Sequence, residues 1–176
     1  GQSVRPTAAE NTISVGFLGI NVVLPSVTLA GGADQAYDLL LQDVYPSWLN
    51  QVAIGATSMW EQWDAYSAEY SFKDSGMNSF NHYSYGVVSE WLYQYMVGIT
   101  NDDPGDKSII LQPTLDTGVQ YNSKERINDV QGSYDSYYGV IESNWTSDEG
   151  SLSSYEAVVP ANTTATLYLP VSQDVA

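Results

Sequence analysis

The sequence predicts an α+β fold, helical through roughly its first hundred residues and built of antiparallel strands from residue 103 onward. Three observations carry this. Apolar residues recur at helical spacing in two segments before residue 100. A turn-forming cluster, Asn101-Asp-Asp-Pro-Gly105, then interrupts the chain. Beyond it the pattern shortens to apolar–polar alternation with turn residues between the runs, the mark of strands stacked in a sandwich.

Taken in order, Phe17 to Leu29 reads as a short buried helix, with Pro25 as a kink or early-turn residue. Ala33, Ala36, Tyr37, Leu40, Leu41 and Val44 follow at helical spacing. Asp34 in the first turn suits the helix dipole, and Pro46 stops the helix. Residues 47 to 82 read as irregular, rich in Trp, Gly, Ser and Asn; long aromatic loops between helices are more often functional than filler. A helix is expected from about Ser79 to Ile99, with Val88, Trp91, Leu92, Tyr95 and Ile99 on one face. Gly86 inside it should cost roughly 1 kcal/mol against Ala, which predicts close approach of another backbone or a ligand there. Strands are expected over Lys107 to Leu111, Tyr137 to Thr146, Ser151 to Val159 and Thr164 to Leu169, with Asp148-Glu149-Gly150 as a hairpin turn.

Composition narrows the function classes. The 176 residues carry 21 acids against 5 bases, a net charge of −16. A basic nucleic-acid surface is therefore excluded. The chain has no cysteine, so neither disulfides nor thiolate metal sites are available, which suits bacterial export without requiring it. Val15 to Leu29 is too short, and too broken by Gly19, Asn21 and Pro25, to span a bilayer, so a soluble chain is expected. Among the aromatics are 14 Tyr and 5 Trp but only 3 Phe. Side chains with flat apolar faces and polar handles fit sugars, and they equally fit half-buried strands.

Two stretches can carry chemistry. In Gly55-Ala-Thr-Ser-Met-Trp-Glu-Gln-Trp-Asp64, Glu61 lies between Trp60 and Trp63. Spacing alone allows either a carboxylate facing a sugar stacked on an indole or a surface glutamate beside two core tryptophans. In Met77-Asn-Ser-Phe-Asn-His-Tyr-Ser-Tyr-Gly86, the only histidine, His82, stands beside Asn78, Asn81 and Tyr83 where a helix is expected to start. Asn78 or Ser79 would cap that helix; His82 is either a hydrogen-bonded structural residue or a ligand contact. No spaced acidic loop suggests a metal site, and no cofactor is expected.

These two stretches together resemble glycoside hydrolase family 78, the α-L-rhamnosidases. Gly16-Phe-Leu-Gly19, Leu24-Pro25 and the run Leu39 to Trp48 match in order upstream. Gly132-Ser-Tyr-Asp135, Gly139 to Trp145 and Val159 to Ala165 match downstream. The resemblance implies the last helices of an (α/α)6 barrel in residues 1–102, followed by an antiparallel β-sandwich domain in 103–176. It implies an inverting hydrolase acting on terminal α-L-rhamnose of rhamnosides. Within it Glu61 would be the general base, His82 would contact the rhamnose, and Trp60 or Trp63 would help form the sugar subsite. The family's general acid lies in an acidic, Arg-containing motif that this sequence lacks. The chain is thus expected to be a fragment of such an enzyme, inactive by itself. Many relatives carry Arg where Gln62 stands here. Asp64 and Glu90 are other acids near the motifs, with nothing to mark either as the missing acid.

Inversion needs an acid at the leaving oxygen and an ionised base activating water on the opposite face, roughly 6.5–9.5 Å apart. A base alone should not turn over substrate. An alternative is a non-catalytic carbohydrate-binding or assembly module, using Tyr134, Tyr137, Tyr138 and Trp145. Finally, Tyr37, Leu40, Trp91 and Tyr95 imply neighbouring helices from the missing N-terminal part of the protein or from another copy, met through exposed helix faces.

Overall fold

The computed structural model describes residues 13, 15–73, 76, 78–118 and 125–170. By its internal packing the chain divides into two compact units, Gly1–Val88 and Ser89–Ala176. The first is helical and loop-rich, the second is built on sheets, and the α+β class stands.

In the first unit, α1 (Ile20–Leu29) precedes α2 (Ala33–Leu40) and α3 (Trp48–Ala53). The expected buried helix is only half buried: Ile20 and Leu24 face inward, while Leu18 (84% exposed), Val22 and Leu29 face out. Helix α2 buries Ala36, Tyr37, Asp38 and Leu39. It ends well before Pro46, because Gln42 Oε1 accepts from the amides of Asp43 and Val44 and turns the chain away. Helix α3 lies where irregular chain was expected. Ser47 Oγ accepts from Asn50 N at 3.0 Å, a conventional N-cap. A two-residue ladder then pairs β1 (Tyr66–Ser67) with β2 (Ser71–Phe72). A 3-10 helix over Tyr83–Val87 packs against α1.

Helix start and pitch both differ from expectation. No helix begins at Ser79; the first helical residue is Tyr83. After α4 (Val88–Trp91), residues Leu92–Val97 widen to π-helical bonding. The wider turn rotates the inward face, so Met96 and Val97 are buried while Leu92 and Tyr95 are only half so. Trp91 and Tyr37, expected on faces awaiting a neighbour, are buried within the chain. The exposed apolar residues of the helices include instead Val22 and Leu29 of α1, Leu49 and Val52 of α3, and the rings of Tyr83 and Tyr93. Among the described residues the near neighbour of Gly86 is a side chain, not another backbone: a Cβ there would touch Met59 at 3.4 Å.

Among its described residues the second unit shows two three-stranded sheets. One orders β3 (Ile99–Asn101), β4 (Ser108–Leu111) and β8 (Thr164–Leu167); the other orders β5 (Asp129–Ser136), β6 (Gly139–Asp148) and β7 (Ser151–Val158). All pairings are antiparallel except β4 with β8, which run parallel. Strand β6 buries Ile141, Ser143 and Trp145 on one face. The β6–β7 turn places Glu149 and Gly150 at positive φ, the backbone of a primed two-residue hairpin.

The π-helix is stitched to β6 by hydrogen bonds to its last carbonyls. Trp145 Nε1 donates to Met96 O at 2.7 Å, and Ser143 Oγ donates to Val97 O at 2.7 Å. Those carbonyls would otherwise be orphaned at a helix end. Gly98 then takes φ +79°, and a Cβ there would sit 2.3 Å from the Gln112 backbone, so no other residue fits. Gly132 is needed for a second reason: its missing Cβ leaves room for the Val97 side chain. Farther along, Asp116 is fully buried and paired with Arg126 through Nε at 2.9 Å, and it also accepts from Ile127 N.

Candidate active site

The two motif stretches meet as neighbouring strands of loop in the first unit. Glu61 N donates to Ser79 O at 2.8 Å, and His82 N donates to Met59 O at 2.8 Å. Ser58 Oγ adds a bond to Phe80 O. This bridge exists because the Trp-Glu-Gln-Trp segment has no helix or sheet of its own to satisfy its amides. Its consequence is that Glu61 and His82, 21 residues apart in sequence, are held by one short ladder.

The Glu61 side chain is half-buried, and its Oε2 accepts from Ser79 N at 2.8 Å. Main chain and carboxylate therefore grip the same residue, Ser79, from both sides. A charge-assisted bond of this kind fixes the carboxylate more firmly than a neutral one would. Glu61 Oε1 has no partner among the described residues.

Both indoles of the motif are buried. Trp60 (6% exposed) meets the ring edges of Phe80 and Tyr66, with centroids 5.5 and 6.3 Å away. Trp63 (8% exposed) stacks on Tyr85 at 3.9 Å and meets Trp48 edge-on at 5.5 Å. Its Nε1 donates to Val15 O at 3.0 Å, and Trp48 Nε1 donates to Tyr85 O at 2.9 Å. The Trp63 and Trp48 N–H groups of this aromatic cluster are thus already satisfied.

His82, not Asn78 or Ser79, caps the 3-10 helix: its Nδ1 accepts from Ser84 N at 3.4 Å. Accepting at Nδ1 puts the imidazole proton on Nε2. The ring lies parallel to Tyr83 at 5.6 Å and edge-on to Phe17 at 5.4 Å. Ser79 Oγ instead accepts from Asn81 N, and Asn78 Nδ2 reaches Ala65 O and Lys73 O. Met77, the first residue of the second stretch, lies outside the described residues.

Residues missed by sequence reasoning surround these. Lys73 Nζ bonds Gln62 Oε1 and both oxygens of Asp64, so Asp64 is an ion-paired residue. Tyr70 Oη donates to Asp64 O at 2.7 Å. Burial pushes the Tyr85 phenol up to about 12, helped by the nearby Tyr45 and Asp64, and burial with Asp64 and Tyr70 also raises Tyr45. No motif announces Lys73; Tyr85 stands inside the second stretch, where only the Trp- and Tyr-rich composition hints at an aromatic stack. Glu90, by contrast, bonds Gln94 Nε2 at 2.9 Å on its own helix.

In the second unit the aromatics of the module reading part company. Trp145 is 1% exposed and packs the unit, whereas Tyr137 is 92% exposed beside Tyr138, edge-on at 5.5 Å. Among the described residues no group of three or more His, Asp or Glu is placed to hold a metal ion, and no helix is long and apolar enough to cross a membrane.

Comparison with known proteins adds the following. Residues 4–96 match a family model for the bacterial α-L-rhamnosidase six-hairpin glycosidase domain, and residues 98–176 match one for the bacterial α-L-rhamnosidase C-terminal domain. An α-L-rhamnosidase of Alteromonas sp. is 33% identical over 168 residues, covering 96% of this chain and 17% of that protein. One from Formosa agariphila is 35% identical over 162 residues, covering 92% and 16% respectively. The crystal structure of the Streptomyces avermitilis α-L-rhamnosidase complexed with L-rhamnose superposes with a TM-score of 0.79 at 34% identity. The match covers 91% of this chain and 15% of that one. This chain therefore spans about a sixth of the length of the curated relatives it matches.

Proposed function

Because the chain belongs to the bacterial α-L-rhamnosidase family, we propose that it is part of an inverting hydrolase of terminal α-L-rhamnose, with Glu61 as general base. The observation that carries this is the Glu61 carboxylate itself. One oxygen is pinned by Ser79 N–H at 2.8 Å and the other has no partner among the described residues. A base for inversion needs that asymmetry: one oxygen to fix direction, the other to take a proton from water.

The remaining roles belong to the same proposal. With its proton on Nε2, His82 donates to a rhamnose hydroxyl while Nδ1 stays engaged with Ser84 N. Trp60 and Trp63 form the floor beneath the subsite and keep the carboxylate raised above a dry aromatic layer. The general acid comes from the part of the protein that this chain does not span. Asp64 is held by Lys73 and does not serve as that acid.

Two measurements test the reading. Residues 1–176 alone should release no L-rhamnose from an aryl α-L-rhamnoside, while the full-length protein should release it first as the β-anomer, followed by proton NMR. Activity of the isolated chain, or α-L-rhamnose as the first product, contradicts the proposal.

The exposed Tyr137–Tyr138 pair favours a second reading, a carbohydrate-binding module in the second unit. Under it, L-rhamnose binding survives Glu61 and His82 substitutions and disappears when Tyr137 and Tyr138 are replaced by Ala.

A further inference from the structure

After Glu61 the chain runs out to β1, turns, and returns through β2 to Lys73. There the ammonium lies 2.7 Å from Gln62 Oε1 and 2.9 and 2.8 Å from the two Asp64 oxygens. An ammonium has three N–H groups, and these acceptors match that number. Gln62 and Asp64 are the first and third residues after Glu61, so the cation clamps the segment that leaves the carboxylate.

The backbone of Lys73 works on the other side. Its N–H donates to Ala65 O at 2.9 Å, and its carbonyl lies 3.5 Å from Asn78 Nδ2, which also reaches Ala65 O at 3.4 Å. Asn78 directly precedes Ser79, whose amide holds Glu61 Oε2. A closed circuit of bonds thus runs from Glu61 through Gln62 and Asp64 to Lys73, then through Asn78 and Ser79 back to Glu61.

We infer that Lys73 is a positioning residue for Glu61, holding the carboxylate in register from both sides without touching substrate. The inference rests on the reading of Glu61 as general base. An ion pair as exposed as Lys73–Asp64 adds little to stability. Its effect therefore falls on geometry, where a displacement of about 1 Å costs roughly 100-fold in rate.

The test compares four variants of the full-length protein on an aryl α-L-rhamnoside. Lys73→Met should lower kcat by roughly 10- to 100-fold, as a misplaced base does, while KM stays within about twofold. Lys73→Arg, which keeps the charge and the donors, should restore kcat to within about threefold of the parent. Asp64→Asn removes the charge pair and leaves Gln62 bonded. Combined with Lys73→Met it should cost no more than the worse single change, because both break one network. Parent-like kcat in Lys73→Met, a loss carried by KM, no rescue by Arg, or additive losses in the double variant would each overturn the inference. Glu61→Gln reports separately: retained turnover there removes the base reading whatever Lys73 does. If Lys73→Met fails to fold, Asp64→Asn alone decides, by a kcat loss at constant KM or its absence.

Discussion

Trp63 and Trp145 each bury an indole and each donate its N–H to a main-chain carbonyl, yet they sit in opposite kinds of structure. Trp145 lies on the regular strand β6, after Ile141 and Ser143 on the same buried face, and its bond closes the end of a helix. Trp63 lies in irregular chain and is fixed by rings: Tyr85 stacked below, Trp48 edge-on, and Val15 O as acceptor. In the second unit order comes from ladders of backbone hydrogen bonds. In the first it comes from side chains reaching across loops. Such loops leave backbone amides free to hold a carboxylate, as Ser79 N holds Glu61, whereas a strand has already committed its amides to a neighbour. The proposed base, Glu61, stands in the unit with less regular structure for that reason.

The contrast can be broken by substitution, and the largest effect belongs to the regular unit. Trp145→Ala removes a 1% exposed indole and leaves Met96 O unpaired. It should destabilise the chain by about 3–5 kcal/mol in denaturant unfolding, with loss of the β signal in circular dichroism. An effect below about 1 kcal/mol would mean that β6 is not the centre of that unit.

Next in size is an alkaline transition in the first unit. The Tyr85 phenol is raised from 10 to about 12, so the neutral form is favoured in the folded chain. The resulting stability is intact below pH 10 and is lost as pH rises from there through about 12. Phenolate absorbance, read as the difference from Tyr85→Phe, should appear near the top of that window and coincide with loosening of the Trp63 stack by fluorescence. Ionisation of Tyr85 near pH 10 would show that the aromatic floor is open to water.

The helix cap comes third. Ser47→Ala should cost about 1 kcal/mol, since Asn50 N loses its acceptor. Smallest in stability is Lys73→Met, at most about 1 kcal/mol for a pair this exposed. That variant sharpens the comparison most, because a small change in stability is paired with a large expected change in turnover.

Legibility followed the same divide. Strand β6 could be read because one face is buried and the other is not, so Ile141 and Trp145 alternate with polar residues. Its partner β5 was missed: only Val130 and Ser136 are buried along it, and apart from the exposed Tyr134 the remainder is polar or Gly. Helix α3 was missed because its signal is a Ser cap over six residues, too short to show a period. The helical reading from Ser79 to Ile99 failed at both ends. His82 capped the start later, and the π-helical turn followed by Gly98 released Ile99 into β3. Of the site, Glu61, Trp60, Trp63 and His82 stood in recognisable motifs. The bonds that hold Glu61 did not, because Ser79 contributes through its backbone and Lys73 returns from a hairpin that no periodicity marks.

The most direct test of the central claim is turnover of an aryl α-L-rhamnoside by the full-length protein carrying Glu61→Gln. The amide keeps the shape and can still accept from Ser79 N, but it cannot take a proton from water. The expected result is a fall in kcat of roughly 100- to 10,000-fold, with L-rhamnose binding preserved. A kcat within about twofold of the parent would contradict the assignment of Glu61 as the base.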